Sequence, residues 1–110
     1  MITALYKDDD GHIVSGVEGE GVFKITSEGN ITDHLFSGKT VSSIYKDYSG
    51  NLWFGGYYSG LYMQDAKGNV RFMLPEIKLK DIKKITGDDK GNLYLSLFGS
   101  GFIRYHLPTQ

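Results

Sequence analysis

The sequence contains no cysteine and only two prolines among its 110 residues. Without cysteine there can be no disulfide bond, no thiolate metal site and no cysteine nucleophile. No apolar run approaches the roughly 18 residues that a membrane-spanning helix needs. The charged Lys7 and Asp8 follow Met1 too soon for a signal peptide. We therefore expect no direct membrane contact in this segment, and any export signal or anchor would lie outside it.

The chain also lacks an excess of one charge sign. Twelve basic residues stand against 13 acidic ones, which gives a net charge of −1, and no basic run is present. A nucleic-acid-binding surface needs such an excess of Lys and Arg, so we expect no nucleic-acid partner. The abundant residues are 15 Gly, 8 Tyr and 6 Phe together with Ile, Leu and Val. This composition is typical of many short strands joined by tight glycine turns.

One short phrase occurs three times along the chain. It reads Asp8-Asp9-Asp10-Gly11-His12-Ile13, then Asp47-Tyr48-Ser49-Gly50-Asn51-Leu52, then Asp88-Asp89-Lys90-Gly91-Asn92-Leu93. The glycine of the phrase recurs after 39 and then 41 residues, and a second set of glycines, at positions 21, 60 and 101, stays in register. The chain is therefore a tandem array of one unit of about 40 residues.

Turn signals about every ten residues divide each unit into short strands. The first unit predicts strands at 2–7, 13–17, 22–26 and 31–36. The second predicts strands at 41–47, 52–56, 60–65 and 70–74. The third predicts strands at 82–86, 93–97 and 102–106, after which the sequence stops.

Tandem four-stranded units of this length are typical of β-propeller blades. The sequence thus predicts an all-β fold, a partial β-propeller with about three four-stranded antiparallel blades of which the third is incomplete. We expect blades at residues 1–40, 41–81 and 82–110, the third lacking its last strand, in one continuous propeller fragment.

The second unit carries a recognisable motif, an Ile and an Asp followed by Gly-Asn-Leu-Trp-Phe-Gly, and then Gly-Leu-Tyr with a later Asp. Its residues are Ile44, Asp47, Gly50, Asn51, Leu52, Trp53, Phe54, Gly55, Gly60, Leu61, Tyr62 and Asp65. This motif resembles the two-component regulator propeller repeat. The other units depart from it, the first at His12, Val14 and Ser15 and the third at Tyr94 and Ser96.

The resemblance implies a function. In that family the repeats build sensor propellers of hybrid two-component regulators, which recognise carbohydrate breakdown products outside the cytoplasm. We therefore expect a non-enzymatic, cofactor-free fragment of a ligand-sensing propeller that responds to oligosaccharides. It would belong to the periplasmic or extracytoplasmic part of an inner-membrane receptor. Two alternatives stay open, a propeller enzyme resembling streptogramin lyase or gluconolactonase, and structural or dimerisation blades that bind no ligand.

The loop between the second and third strands varies on a constant glycine frame, as a binding face would. Its predicted ligand-binding residues are Glu18 and Glu20 in the first unit, Tyr57, Tyr58 and Ser59 in the second, and Phe98 and Ser100 in the third. Aromatic rings would stack on sugar faces while carboxylates and hydroxyls bind sugar hydroxyl groups. The alternative is that these aromatic side chains only cover blade edges.

Other chemistry-bearing residues favour structural roles. The Asp-rich turns lack the glutamate of a calcium loop, since Val17 occupies its position, and aspartate in hairpin turns normally accepts bonds from its own backbone. Trp53 lies inside a strand and is expected to pack between blades rather than to stack on a sugar. His12, His34 and His106 fall at different phases of the repeat. We therefore expect no metal site and no catalytic residues.

The array also predicts self-association. Blades are normally covered on both faces, so the first and last blades of an isolated array expose apolar faces, and an incomplete third blade adds an unpaired strand edge. Two chains joined head to tail would supply about six blades, within the four to eight that propellers adopt, and three would exceed that range. A dimer is therefore favoured.

Overall fold

The computed structural model describes residues 1–8, 11–56, 60–73, 81–88, 90–98 and 101–106. All regular secondary structure among these residues is β-strand, arranged as three antiparallel sheets with nearest-neighbour connections. The first sheet comprises β1 (Ile2–Lys7), β2 (Ile13–Val17), β3 (Gly21–Ile25) and β4 (Ile31–Leu35). The second comprises β5 (Val41–Lys46), β6 (Leu52–Gly56), β7 (Gly60–Gln64) and β8 (Val70–Phe72). The third comprises β9 (Ile82–Gly87), β10 (Asn92–Leu97) and β11 (Gly101–His106).

This arrangement confirms the predicted all-β architecture of four, four and three strands. β1, β2 and β6 have the predicted bounds, and other strand ends differ by one or two residues. The predicted end of the eighth strand, Leu74, lies outside the described residues. β4, for example, ends at Leu35 because Phe36 takes a positive φ of 55°, which an extended strand does not allow. The glycines of the repeated phrase, Gly11, Gly50 and Gly91, have φ of 87°, 89° and 88°, a conformation that costs residues with a side chain more than it costs glycine.

The three sheets stack in the same orientation. At the first junction the Thr3 hydroxyl donates a hydrogen bond of 2.6 Å to the Val41 carbonyl, and at the second the Ser42 hydroxyl donates to the Ile82 carbonyl. These donors occupy the same position of the repeat, as do the acceptors. Neighbouring blades are therefore joined through their first strands by the same contact.

Each sheet has a front face, directed to the preceding blade, and a back face, directed to the following one. Cross-strand pairing places Ile44, Phe54 and Tyr62 in one row of the second sheet. This row packs in a core cluster with the first-blade residues Val14 and Val22, and it therefore belongs to the front face.

Trp53 lies on the back face of the second blade and packs between blades, as the sequence predicts for its packing. Its side chain is buried in a second core cluster with Leu61 of its own blade and with Leu93 and Leu95 of the third. Its ring centroid lies 6.2 Å from that of Tyr105 in an edge-to-face arrangement. Trp53 is thus a packing residue between two blades.

The two end faces of the array are open, again as predicted. Leu5, on the front face of the first blade, is 63% exposed, although the equivalent Ile85 is buried. Phe102, on the back face of the third blade, is 72% exposed, although the equivalent Leu61 is buried. Large apolar side chains, which are buried at the inner junctions, therefore face solvent at both ends of the array.

Candidate functional site

The described part of the predicted site lies at one end of the sheets. Because all strand pairs are antiparallel, the loops after β2, β6 and β10 lie beside the first residues of β1, β5 and β9. We call this the loop end, and the opposite end, which carries the Asp-Gly turns, the turn end. Glu18, Glu20 and Phe98 belong to the loop end. Tyr57, Tyr58, Ser59 and Ser100 lie outside the described residues.

The backbone of the first loop is held by its neighbours. The Glu18 amide donates to the Met1 carbonyl at 2.8 Å, and the Gly19 amide donates to the Thr40 hydroxyl at 2.9 Å. Thr40 belongs to the link between the first two blades, so the link and the loop fix each other. The Glu18 and Glu20 side chains remain exposed on this framework. Their carboxylates are accessible to a ligand from solvent.

His34 belongs to this end as well, which the repeat pattern did not indicate. Its Nε2 donates to the Glu20 carbonyl at 2.5 Å, and this bond places the proton of a neutral imidazole on Nε2. The ring stacks on Phe23, with centroids 4.2 Å apart and planes 12° from parallel. His34 therefore positions the loop that carries Glu20.

Phe98 presents an aromatic surface in the loop that follows β10. The residue is 44% exposed, and its amide donates to the Asp81 carbonyl at 3.1 Å. The ammonium nitrogen of Lys83 lies 5.8 Å from the Phe98 ring centroid, within the range of a cation–π contact. An apolar ring beside a hydrogen-bond donor offers a ligand both an apolar surface and a polar contact. Sequence reasoning missed Lys83, whose repeat equivalents are Thr3 and Ser42.

Glu18, Glu20 and Phe98 share the loop end, but they belong to the first and third blades, with the second blade between them. A ligand that contacted both groups would span the loop end of the second blade, where Tyr57, Tyr58 and Ser59 were predicted to contribute.

A small groove lies at the turn end, between the first and second blades. Its volume is about 170 Å³, below the roughly 300–1,000 Å³ of typical small-molecule pockets. It is lined by Asp8, His12, Ile13, Val14, Lys24, Ile25, Thr26, Thr32 and Leu52. Asp8 also accepts a 3.0 Å salt bridge from Lys46 of the second blade, so this polar edge helps to join the two blades.

The aspartates of the turns serve their own backbone. The Asp88 carboxylate accepts bonds from the amides of Lys90 and Asn92, from the Asn92 side chain and from the Tyr94 hydroxyl. The Asn92 side chain and then the backbone amides lower the pKa of Asp88 to about 2. Asp65 accepts equivalent bonds from the Lys67 and Asn69 amides, and the Asn69 amide is the main cause of its lowered pKa. In these two turns the aspartate thus accepts bonds from its own backbone, as expected for hairpin turns.

Across the described ranges, no group of three or more His, Asp or Glu side chains is placed so that it could hold a metal ion. The three histidines lie apart: His12 lines the turn-end groove, His34 contacts the first loop, and the Nδ1 of His106 forms a 3.0 Å hydrogen bond with the Asn92 side-chain oxygen. None of the described segments forms a helix long and apolar enough to cross a bilayer.

A protein-family model matches part of the sequence. Residues 35–58 match the model of the two component regulator propeller family. This segment contains β5, β6 and the turn between them, which carry most of the residues on which the resemblance rests. The resemblance is thereby confirmed for the second unit. No curated protein sequence matches the chain significantly.

Solved β-propeller structures match nearly the whole chain. Virginiamycin B lyase from Staphylococcus aureus, in a catalytically inactive variant with quinupristin, matches 99% of it at 18% identity and a TM-score of 0.74. PorZ, a bacterial surface component of the type-IX secretion system of Porphyromonas gingivalis, matches 96% at 18% identity and a TM-score of 0.78. The extracellular domain described for a one component system of B. thetaiotaomicron matches 94% at 21% identity and a TM-score of 0.74.

These identities establish the fold alone. The chain spans 42% of the lyase chain, 17% of PorZ and 15% of the extracellular domain. It is thus a β-propeller segment that corresponds to part of each of these proteins.

Proposed function

We propose that this chain is part of an extracytoplasmic sensor propeller of a two-component regulator, and that its loop end binds oligosaccharides. Two findings support the proposal. The family match over residues 35–58 is to a regulator propeller, and one structural neighbour is an extracellular domain of a one component system. A periplasmic or extracytoplasmic location within an inner-membrane receptor is part of the same proposal.

The observation that carries the proposal is the exposed Phe98 ring with Lys83 beside it at the loop end. A phenyl ring offers a flat apolar surface to the C–H face of a pyranose, and the Lys83 ammonium donates to ring hydroxyl groups. Across the loop end, the Glu18 and Glu20 carboxylates accept hydrogen bonds from hydroxyls of a further sugar unit. These contacts are polar and open to water, which favours weak to moderate affinity.

Signalling by such a site depends on two arrangements of the parent receptor. A ligand shifts the balance between them only by the difference between its affinities for the two. A sugar bound at the loop end would have different affinities for the two arrangements if the loops of different blades lay at different distances in each. No cofactor enters this mechanism.

Binding of the chain to an array of immobilised neutral and acidic oligosaccharides tests the proposal. We expect the chain to bind a subset of oligosaccharides of two or more units, and the Phe98→Ala variant to bind them about 3- to 10-fold more weakly, as the loss of one aromatic contact implies. Tyr48→Ala, at an exposed position of the turn end, is the matched control and should bind like the parent chain.

Failure of the chain to bind any oligosaccharide, or equal binding by Phe98→Ala and the parent chain, would contradict the proposed site. The first of these results would favour the structural alternative, in which the blades serve only as spacers or as a dimerisation surface.

A second candidate function is that of a propeller enzyme. The observation that favours it is the match of 99% of the chain to virginiamycin B lyase. His34 would be the candidate acid or base, because it lies at the loop end next to Glu20. Incubation with quinupristin and mass spectrometry of the products tests this. Cleavage that is lost in His34→Ala would replace the sensor proposal with an enzymatic one.

A further inference from the structure

A short motif of the first blade lies outside the proposed sugar site. Asn30, Ile31 and Thr32 form the pattern Asn-X-Thr, in which X is not proline, and this pattern occurs once in the chain. It is the acceptor pattern for attachment of an oligosaccharide to an asparagine side chain in exported proteins. The motif begins in the turn after β3 and therefore belongs to the turn end, away from the loops that carry the proposed sugar site.

Asn30 differs from the other asparagines of the chain in what its side-chain amide does. Each of the other three donates a side-chain hydrogen bond to the aspartate of its own turn, as Asn69 does to Asp65 at 3.4 Å. In the first unit Thr26 replaces that aspartate, and its hydroxyl accepts a 3.1 Å bond from the Asn30 backbone amide. The Asn30 side-chain amide is exposed and makes no hydrogen bond with the described residues. It is therefore available to react.

The backbone around the motif is accessible as well. β4 pairs with β3 alone and is the outermost strand described in its sheet. Its pairing shifts at Thr32, which has no opposite residue on β3, and the Thr32 hydroxyl donates only a long bond of 3.4 Å to the Lys24 carbonyl. Ile31 between the two motif residues is 63% exposed. Because a bulged edge strand opens more easily than an inner strand, an enzyme can reach this segment in the folded chain.

An acidic side chain precedes the asparagine by two residues. Glu28 is exposed, and the hydrogen bond from its own backbone amide, followed by bonds from the Thr26 and Ser27 side chains, lowers its pKa. The carboxylate therefore carries its charge at neutral pH. A charged group at a fixed distance from Asn30 offers a cationic side chain of an enzyme a charge-assisted contact beside the reacting amide.

We propose that Asn30 is a modification site, to which an oligosaccharyltransferase attaches an oligosaccharide from a polyprenyl diphosphate donor. The Nδ2 atom of Asn30 forms a bond to the anomeric carbon of the first sugar, and the bond from that carbon to the diphosphate oxygen breaks. Polyprenyl diphosphate leaves with the bonding electrons, and one amide proton passes to a base of the transferase. The proposal rests on the proposed extracytoplasmic location but not on sugar binding at the loop end.

Mass spectrometry of the chain after incubation with such a transferase and its donor tests the proposal. We expect the mass to rise by one glycan, carried on the tryptic peptide of residues 25–39, in which Asn30 is the single asparagine. Asn30→Gln and Thr32→Val should each abolish the modification, and Thr32→Ser should retain it. Glu28→Gln should slow it. The synthetic peptide of residues 25–39 is the control for transferase activity.

Two further variants separate the motif from its structural setting. Thr26→Asp leaves the motif unchanged but supplies the turn aspartate, so the Asn30 amide should be bound and modification should slow about 2- to 5-fold, as one modest hydrogen bond implies. Arg71→Thr completes the same pattern at Asn69, whose amide Asp65 already binds. Asn69 should therefore be modified more slowly than Asn30 in that variant.

Circular dichroism identifies any variant that fails to fold. A folded parent chain that stays unmodified while the control peptide is modified would overturn the proposal. Persistence of the glycan in Asn30→Gln would overturn it too. Binding of the unmodified chain to the glycan array is measured separately, so failure of the sugar site at the loop end and failure of the Asn30 site give different results.

Discussion

The indole nitrogen of Trp53 donates a hydrogen bond of 2.8 Å to the Asp47 carboxylate, six residues earlier in the chain. The same carboxylate accepts bonds from the amides of Ser49 and Asn51, which close the turn between β5 and β6. The ring of Trp53 meanwhile packs against the third blade. The hydrogen bond between Trp53 and Asp47 thus links the turn between β5 and β6 to the core between the second and third blades. In the third blade the Tyr94 hydroxyl reaches Asp88 at 3.4 Å in the equivalent way.

Replacement of Trp53 by alanine should lower the free energy of unfolding by about 3–5 kcal/mol, because it removes the largest buried side chain between two blades. It also leaves one hydrogen bond of Asp47 unmade. Tyr48→Ala, at an 81% exposed turn position next to Asp47, should change stability by less than about 0.5 kcal/mol. Urea unfolding of both variants measures the contrast. Similar losses at the two positions would show that Trp53 does not belong to the core.

The close approach of two blades at Gly55 predicts that a larger side chain at this position destabilises the fold. In Gly55→Ala the new Cβ would lie 2.6 Å from the buried Ile82 side chain, so the blades must separate locally. We expect a loss of about 1–3 kcal/mol. Ser96→Ala, at the same repeat position on the open face of the third blade, should cost less than about 0.5 kcal/mol. Thermal unfolding of the two variants checks the prediction, and a neutral Gly55→Ala would argue against this junction.

The lowered pKa values of the turn aspartates predict that the chain loses stability in acid. The pKa of Asp88 is about 2 in the folded chain, below its ordinary 3.8, chiefly because the Asn92 side chain and the backbone amides bind the carboxylate. The folded state therefore holds fewer protons than the unfolded state between these values. Stability from this group is present above about pH 4 and falls as the pH approaches 2.

The measurement is the urea midpoint at several pH values between about 6 and about 2. The parent chain should lose stability across the lower part of that range, and Asp88→Asn should lose less of it, because the amide does not titrate. The pKa of Asp65 is also lowered, so this carboxylate accounts for part of the pH dependence that remains in the Asp88→Asn variant. Identical pH profiles for the two proteins would contradict the role of Asp88.

Much of this fold could be predicted from local signals. The turn glycines and the aspartates that accept bonds from their own turns act within a few residues, so their spacing marks the strands directly. Where the prediction of β4 was one residue too long, the cause was the positive φ of Phe36, a non-glycine residue that carries no turn signal. The burial of Trp53 followed from its place inside a strand.

Contacts between distant segments could not be predicted in this way. The His34 bond to Glu20 joins an outer strand to a loop 14 residues earlier, and the place of Lys83 beside Phe98 depends on how β9 and β10 pair. The structure places Glu18, Glu20 and Phe98 at the loop end, and their role in binding stays a prediction.

The most direct test of the proposed sensor function is an NMR titration of the isotope-labelled chain with an oligosaccharide selected on the glycan array. We expect amide shifts to change at the loop end, around Glu18, Glu20 and Phe98, and to stay constant at the turn glycines Gly11, Gly50 and Gly91. Phe98→Ala should remove the changes around residue 98. Shifts that change at the turn-end glycines instead, or that do not change at saturating sugar, would contradict a sugar site at the loop end.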